Sequence, residues 1–129
     1  MIAFVVKWTI KQGCEQKALV GLKELAKQVE DEQGTLIYLV NTPNPIQFKC
    51  SEGDEHESLP TPSPQEVIFI EQYVDEQAFC NHVHGQAFQD FLRDYGDLFL
   101  SSNGGPYVEI EFLTRQAGFI RQAAVTGKQ

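Results

Sequence analysis

The sequence predicts one α+β domain with the element order strand–helix–strand–strand–helix–strand. Three observations carry this. Four short segments alternate apolar and polar residues or run apolar throughout. Two longer segments repeat apolar residues every three or four positions. The 129 residues are enough for one hydrophobic core and too few for two.

Ile2 to Thr9 places Ile2, Phe4, Val6 and Trp8 on one face and Ala3, Val5, Lys7 and Thr9 on the other, the period of a strand. Lys11-Gln12-Gly13 turns the chain. From Cys14 to Gln33, Ala18, Leu19, Leu22, Leu25, Ala26 and Val29 form the apolar stripe of a helix. Glu30-Asp31-Glu32 reads as its solvated end and Gly34 as its stop. Thr35 to Thr42 is a second strand, with Leu36, Tyr38 and Val40 opposite Ile37 and Leu39. Pro43-Asn44-Pro45 interrupts it, and residues 46–50 resume it beyond a bend.

Residues 51–64 are charged and proline-rich and read as a mobile loop inserted in a hairpin. In the third strand, Glu66 to Val74, Val67, Phe69, Glu71 and Tyr73 share a face, and Asp75 caps the next helix. That helix carries Phe79, His82 and Val83, then Phe88, Phe91, Leu92 and Tyr95, with a kink expected at Gly85. Ser101 to Gly105 is a loop. Tyr107 to Leu113 closes the set, with Val108, Ile110 and Phe112 facing inward. The domain therefore spans 1–113, and 114–129 is a C-terminal extension containing Phe119 and Ile120.

This order is the split motif of a ferredoxin-like βαββαβ fold with an antiparallel sheet. Both helices would cover one sheet face. Yet Val67-Ile68-Phe69-Ile70 and Leu36-Ile37-Tyr38-Leu39-Val40 are apolar on both faces, so the second face needs cover as well. A second copy of the same sheet is the most economical cover, and a homodimer is expected.

A net charge of −8 argues against nucleic acid or an anionic membrane surface as partner. Glu52, Asp54, Glu55 and Glu57 supply about half of that charge, so the acidity is partly local. No apolar run reaches membrane-spanning length, and Met1 to Lys7 lacks a signal peptide's basic start. Cys14, Cys50 and Cys80 are odd in number and widely spaced. They suggest neither a disulfide framework nor a zinc site, and they fit a reducing cytoplasm as inert or buried thiols.

His82 and His84 stand two residues apart on a helix. Their side chains point about 200° apart and cannot share an ion, so no metal site is expected. His82 shares its face with Phe79 and Val83 and points inward. There it is either a core histidine satisfied by a carbonyl or carboxylate, or the acid or base of a pocket. Glu71, within an apolar strand, needs a partner or a raised pKa, and pairing with His82 would solve both burial problems. Trp8, Tyr38, Phe69, Tyr73 and Phe79 are either simple core or the lining of a cavity between sheet and helices. No nucleophile elbow, phosphate-binding glycine loop or dinucleotide fingerprint occurs.

The chain resembles the antibiotic biosynthesis monooxygenase (ABM) domain family, of the dimeric α+β barrel superfamily, over roughly residues 1–113. The resemblance rests on the Lys11-Gln12-Gly13 turn, on Gly34-Thr35-Leu36-Ile37-Tyr38, and on Phe69-Ile70-Glu71-Gln72-Tyr73-Val74-Asp75-Glu76-Gln77-Ala78-Phe79 leading to His82 and Phe88. It implies a homodimeric oxygenase that oxidises a small quinol-like or phenolic compound with O₂ and uses no metal, flavin or haem. His82 would be base or hydrogen-bond partner, Glu71 its orienter and Tyr73 a pocket wall or phenol-binding group. Trp8, Tyr38, Phe69, Phe79 and Phe88 would contact the aromatic ligand. Leu92 stands where haem-degrading relatives carry a histidine, so haem is not the expected substrate. Two other readings share the fold: a non-catalytic ligand-binding or stress-response module, and an isomerase or lyase that uses His82 as proton shuttle.

Overall fold

The structure is a computed structural model and describes residues 1–45, 63–102 and 105–122. Residues 46–50, expected to resume the second strand, and most of the 51–64 loop with its acidic cluster lie outside the described residues, as does the end of the tail. The elements are β1 (Ile2–Thr9), α1 (Glu15–Val29), β2 (Thr35–Asn41), β3 (Glu66–Tyr73), α2 (Glu76–Val83), α3 (Gln86–Tyr95), a short 3₁₀ turn (Gly96–Leu98), β4 (Ser101–Ser102), β5 (Gly105–Pro106) and β6 (Val108–Leu113). β2, β3, β1 and β6 form an antiparallel sheet in that spatial order, as the split motif requires.

Local chemistry explains several element ends. Gly13, at φ +87°, makes the β1–α1 turn in a conformation that costs glycine nothing. The Asp75 carboxylate accepts from the Ala78 amide at 2.8 Å and starts α2. Gly85 does interrupt the second helical segment: its extended ψ of 160° begins α3 afresh. A side chain there would put a Cβ 2.7 Å from the Asn81 carbonyl oxygen.

The core lies between one sheet face and the helices. Phe4, Val6 and Trp8 of β1 and Val67, Phe69 and Tyr73 of β3 meet Ala18, Leu22, Leu25 and Val29 of α1 and Phe91 of α3, all buried. Burying these side chains stabilises the fold by about 1.5–3 kcal/mol each before chain entropy is counted. The opposite face leaves Leu39, Ile70 and Leu113 about half exposed.

Five expectations are corrected. Helix α1 ends at Val29 with a right-handed Glu30 cap, so Gly34 is not its stop. Gly34 is instead where α2 comes close: a Cβ there would stand 2.5 Å from the Ala78 Cβ. Leu36 falls in a register shift between Thr35 and Ile37, which removes it from the row of Tyr38 and Val40. Ser101 to Gly105 is partly paired, as the β4–β5 hairpin. Val108, Ile110 and Phe112 do turn toward the helix side, but they remain 39%, 43% and 59% exposed. For Cys80, expected to be buried or inert, the buried alternative falls: the thiol is free and exposed.

Candidate functional site

Six elements line a cavity of about 240 Å³ on the helix side of the sheet. Phe4, Val6 and Trp8 of β1, with Phe69 and Glu71 of β3, make its floor, and Tyr38 of β2 makes one end. Phe79, His82 and Val83 of α2 and Phe88 and Leu92 of α3 make its roof. Val108 and Ile110 of the uncovered strand β6 form the open side. The lining is apolar apart from Tyr38, Glu71 and His82, and it contains no lysine or arginine. Another hollow of about 260 Å³, between α1 and α3, is ringed by Glu24, Asp90 and Asp94 and contains none of these groups.

His82 is 4% exposed, and its Nδ1 lies 2.8 Å from Oε1 of Glu32. The local backbone explains this pairing. Ala78 and His82 are one helical turn apart and share a face. The close approach of Ala78 to Gly34 therefore brings His82 down beside the α1–β2 turn. The Val74 amide, donating to the Gly34 carbonyl at 2.9 Å, fixes the same contact from the β3 side. Within the turn, the Thr35 amide donates to the Glu32 carbonyl at 3.0 Å, and the Thr35 hydroxyl reaches Glu32 Oε1 at 3.5 Å.

The ring of His82 is wedged between aromatic neighbours, with centroids 5.4 Å from Tyr38, 5.5 Å from Tyr73 and 5.2 Å from Phe88. A carboxylate accepts and does not donate, so the contact with Glu32 calls for the hydrogen on Nδ1. Among the described residues no fully shielded side-chain nitrogen or oxygen lacks a partner. Nε2, which makes no hydrogen bond among the described residues, is therefore not fully shielded, and His82 lines the cavity.

Glu71 does not bond His82. Its Oε1 accepts from the Tyr73 hydroxyl at 2.5 Å. Burial pushes the Glu71 carboxyl from its ordinary 4.5 up to about 7; the Tyr73 hydrogen bond opposes this, and the nearby Glu32 charge adds to it. Burial also pushes Tyr38 and Tyr73 well above the usual phenol range, reinforced by Glu71, so both hydroxyls stay neutral.

Every residue expected at the pocket lines it except Tyr73: His82, Glu71, Trp8, Tyr38, Phe69, Phe79 and Phe88 are all at its surface. Tyr73 is fully buried behind the lining, where its hydroxyl bonds Glu71 and its ring packs on His82 and Phe79. Sequence reasoning missed Glu32, which it assigned to a solvated helix end. One signal could have found it: an inward histidine requires a buried partner, and Glu32 stands two residues before the glycine that α2 packs on. His84 is exposed and bonds the Cys80 carbonyl, away from His82. Among the described residues, no three His, Cys, Asp or Glu side chains are grouped to hold a metal ion.

The chain belongs to the antibiotic biosynthesis monooxygenase family, whose profile matches residues 1–94. No curated protein matches it significantly. Among solved structures it is similar to an antibiotic biosynthesis monooxygenase (15% identity, 91% of this chain and 100% of the other, TM-score 0.63). It is also similar to a Pseudomonas aeruginosa protein (21%, 90% and 94%, TM-score 0.63). A Shewanella oneidensis protein is a third (23%, 87% and 89%, TM-score 0.60). At these identities the likeness extends to the fold. The family match stops at Asp94, whereas β6 completes the sheet at Leu113.

Proposed function

We propose that residues 1–113 form a monooxygenase domain that works as a cytoplasmic homodimer and oxidises a small, uncharged, electron-rich phenol or quinol with O₂. One observation carries the reading: an apolar cavity lined by His82, whose Nε2 makes no hydrogen bond among the described residues, and by Glu71, whose carboxyl burial pushes up to about 7. His82 takes the phenolic proton, and the resulting phenolate carries electron density to a ring carbon bearing hydrogen. That carbon bonds to O₂, which gains two electrons and, with a proton, becomes a hydroperoxide. Loss of water then leaves a carbonyl, so one oxygen atom stays in the product and the other leaves as water. The substrate supplies all four electrons, and no external reductant or resident cofactor enters the balance. The aromatic walls hold the ring flat. Glu71 and Glu32, with no cation in the lining, disfavour substrates bearing carboxylate or phosphate groups.

The half-exposed Leu39, Ile70 and Leu113 on the face away from the helices support the homodimer. Among the described residues no helix is long and apolar enough to cross a membrane. The test is oxygen consumption with a panel of hydroquinones and naphthols. Uptake by the wild type and by His84→Ala, with loss in His82→Ala, is expected. Saturable binding without uptake by any of the panel would instead favour a non-catalytic ligand-binding module.

A further inference from the structure

We propose that Glu32 is the positioning residue for His82, fixing the hydrogen on Nδ1 so that the lone pair of Nε2 faces the cavity. The base role given to Nε2 rests on the oxygenase reading above; the tautomer does not. Four features support the assignment. Nδ1 lies 2.8 Å from Glu32 Oε1, a length typical of a charge-assisted hydrogen bond. At 4% exposure His82 has little water available to stabilise the other tautomer. Its ring cannot readily turn over, being held between Tyr38, Tyr73 and Phe88. Glu71, the other carboxyl at the site, accepts from Tyr73 instead.

Glu32 is itself held. It comes from a turn closed by the Thr35 amide, and the Thr35 hydroxyl reaches the same oxygen that accepts from His82. The oxygen is therefore placed by the α1–β2 turn and the ring by α2, and the two are registered by the Gly34–Ala78 contact. This arrangement parallels the carboxylate-to-histidine support found behind catalytic and metal-bound imidazoles, where loss of the outer partner costs about 10–100-fold.

The experiment is ¹⁵N-resolved NMR of the histidine rings above neutral pH, with steady-state oxygen uptake on the same samples. Wild-type His82 is expected to carry its hydrogen on Nδ1. In Glu32→Ala the hydrogen moves mainly to Nε2, and kcat falls about 10–100-fold with KM changed less than about twofold. Glu32→Gln retains an oxygen acceptor and is expected to keep the Nδ1 hydrogen and most of the rate. A wild-type spectrum with the hydrogen on Nε2 overturns the proposal even if the variants fail to fold. So does a folded Glu32→Ala with an unchanged tautomer. Absence of turnover in a wild type that shows the Nδ1 hydrogen counts against the oxygenase reading and leaves the positioning of His82 intact.

Discussion

The hydroxyl of Tyr73 donates to Oε1 of Glu71 at 2.5 Å, and both side chains are almost entirely removed from solvent. This bond is the one interaction that favours the charged form of a carboxyl otherwise penalised by burial and by Glu32. Tyr73→Phe is therefore expected to move the Glu71 midpoint above about 7, readable as an upward shift of its ¹³C carboxyl titration. Losing the hydroxyl partner should also cost about 1–3 kcal/mol of unfolding free energy.

Stability should depend on pH through Glu71. Its folded midpoint, about 7, lies above its ordinary 4.5, so the folded protein holds this proton more tightly than the unfolded chain. That contribution is complete below pH 4.5 and is lost as pH rises through about 7, over a range corresponding to about 3 kcal/mol. Glu71→Gln, which cannot ionise, should gain on the wild type across this window and hold a constant advantage at higher pH. Urea unfolding at stepped pH measures the difference. A constant offset from pH 4 to pH 8 would contradict a raised Glu71.

The contact between Gly34 and α2 leaves no room for a methyl group. Gly34→Ala would place a Cβ 2.5 Å from that of Ala78, and is expected to cost about 1–3 kcal/mol as strand and helix are pushed apart. Adding Ala78→Gly should recover part of that loss, less the helix penalty of glycine at about 1 kcal/mol. Thermal unfolding of the single and double variants tests the coupling.

Filling the cavity should remove function and keep the fold. Leu92 contributes to the roof from α3 and is partly exposed. Leu92→Trp is expected to reduce oxygen uptake at least tenfold with far-UV circular dichroism unchanged. Full activity in that variant would place the reaction elsewhere.

The legible parts of the fold were those dictated by neighbours in sequence. The Asp75 cap, the break at Gly85 and the inward set of Phe69, Glu71 and Tyr73 each follow from spacing within one element. The aromatic lining was equally accessible, because alternation on β1 and β3 already placed Trp8 and Phe69 on one side. Glu32 was hidden for a physical reason. In sequence it is the last of three acids at a helix end, and only the packing of α2 on Gly34 distinguishes it from Glu30 and Asp31. The same applies to β6. A strand with Val108, Ile110 and Phe112 on one side shows an apolar face but does not show how much of that face stays exposed.

The break at Gly85 places His82 and the α3 part of the cavity roof on separately anchored pieces of backbone. His82 travels with α2, tied down by the Asp75 cap and the turn that carries Glu32. Phe88 and Leu92 travel with α3, which is moored at its far end where Tyr95 packs on Gly21 of α1. Under the proposed reaction, proton chemistry and substrate range would therefore be free to diverge independently. A modest re-docking of α3 would widen or narrow the chamber for a different ring system while the imidazole stays where it is.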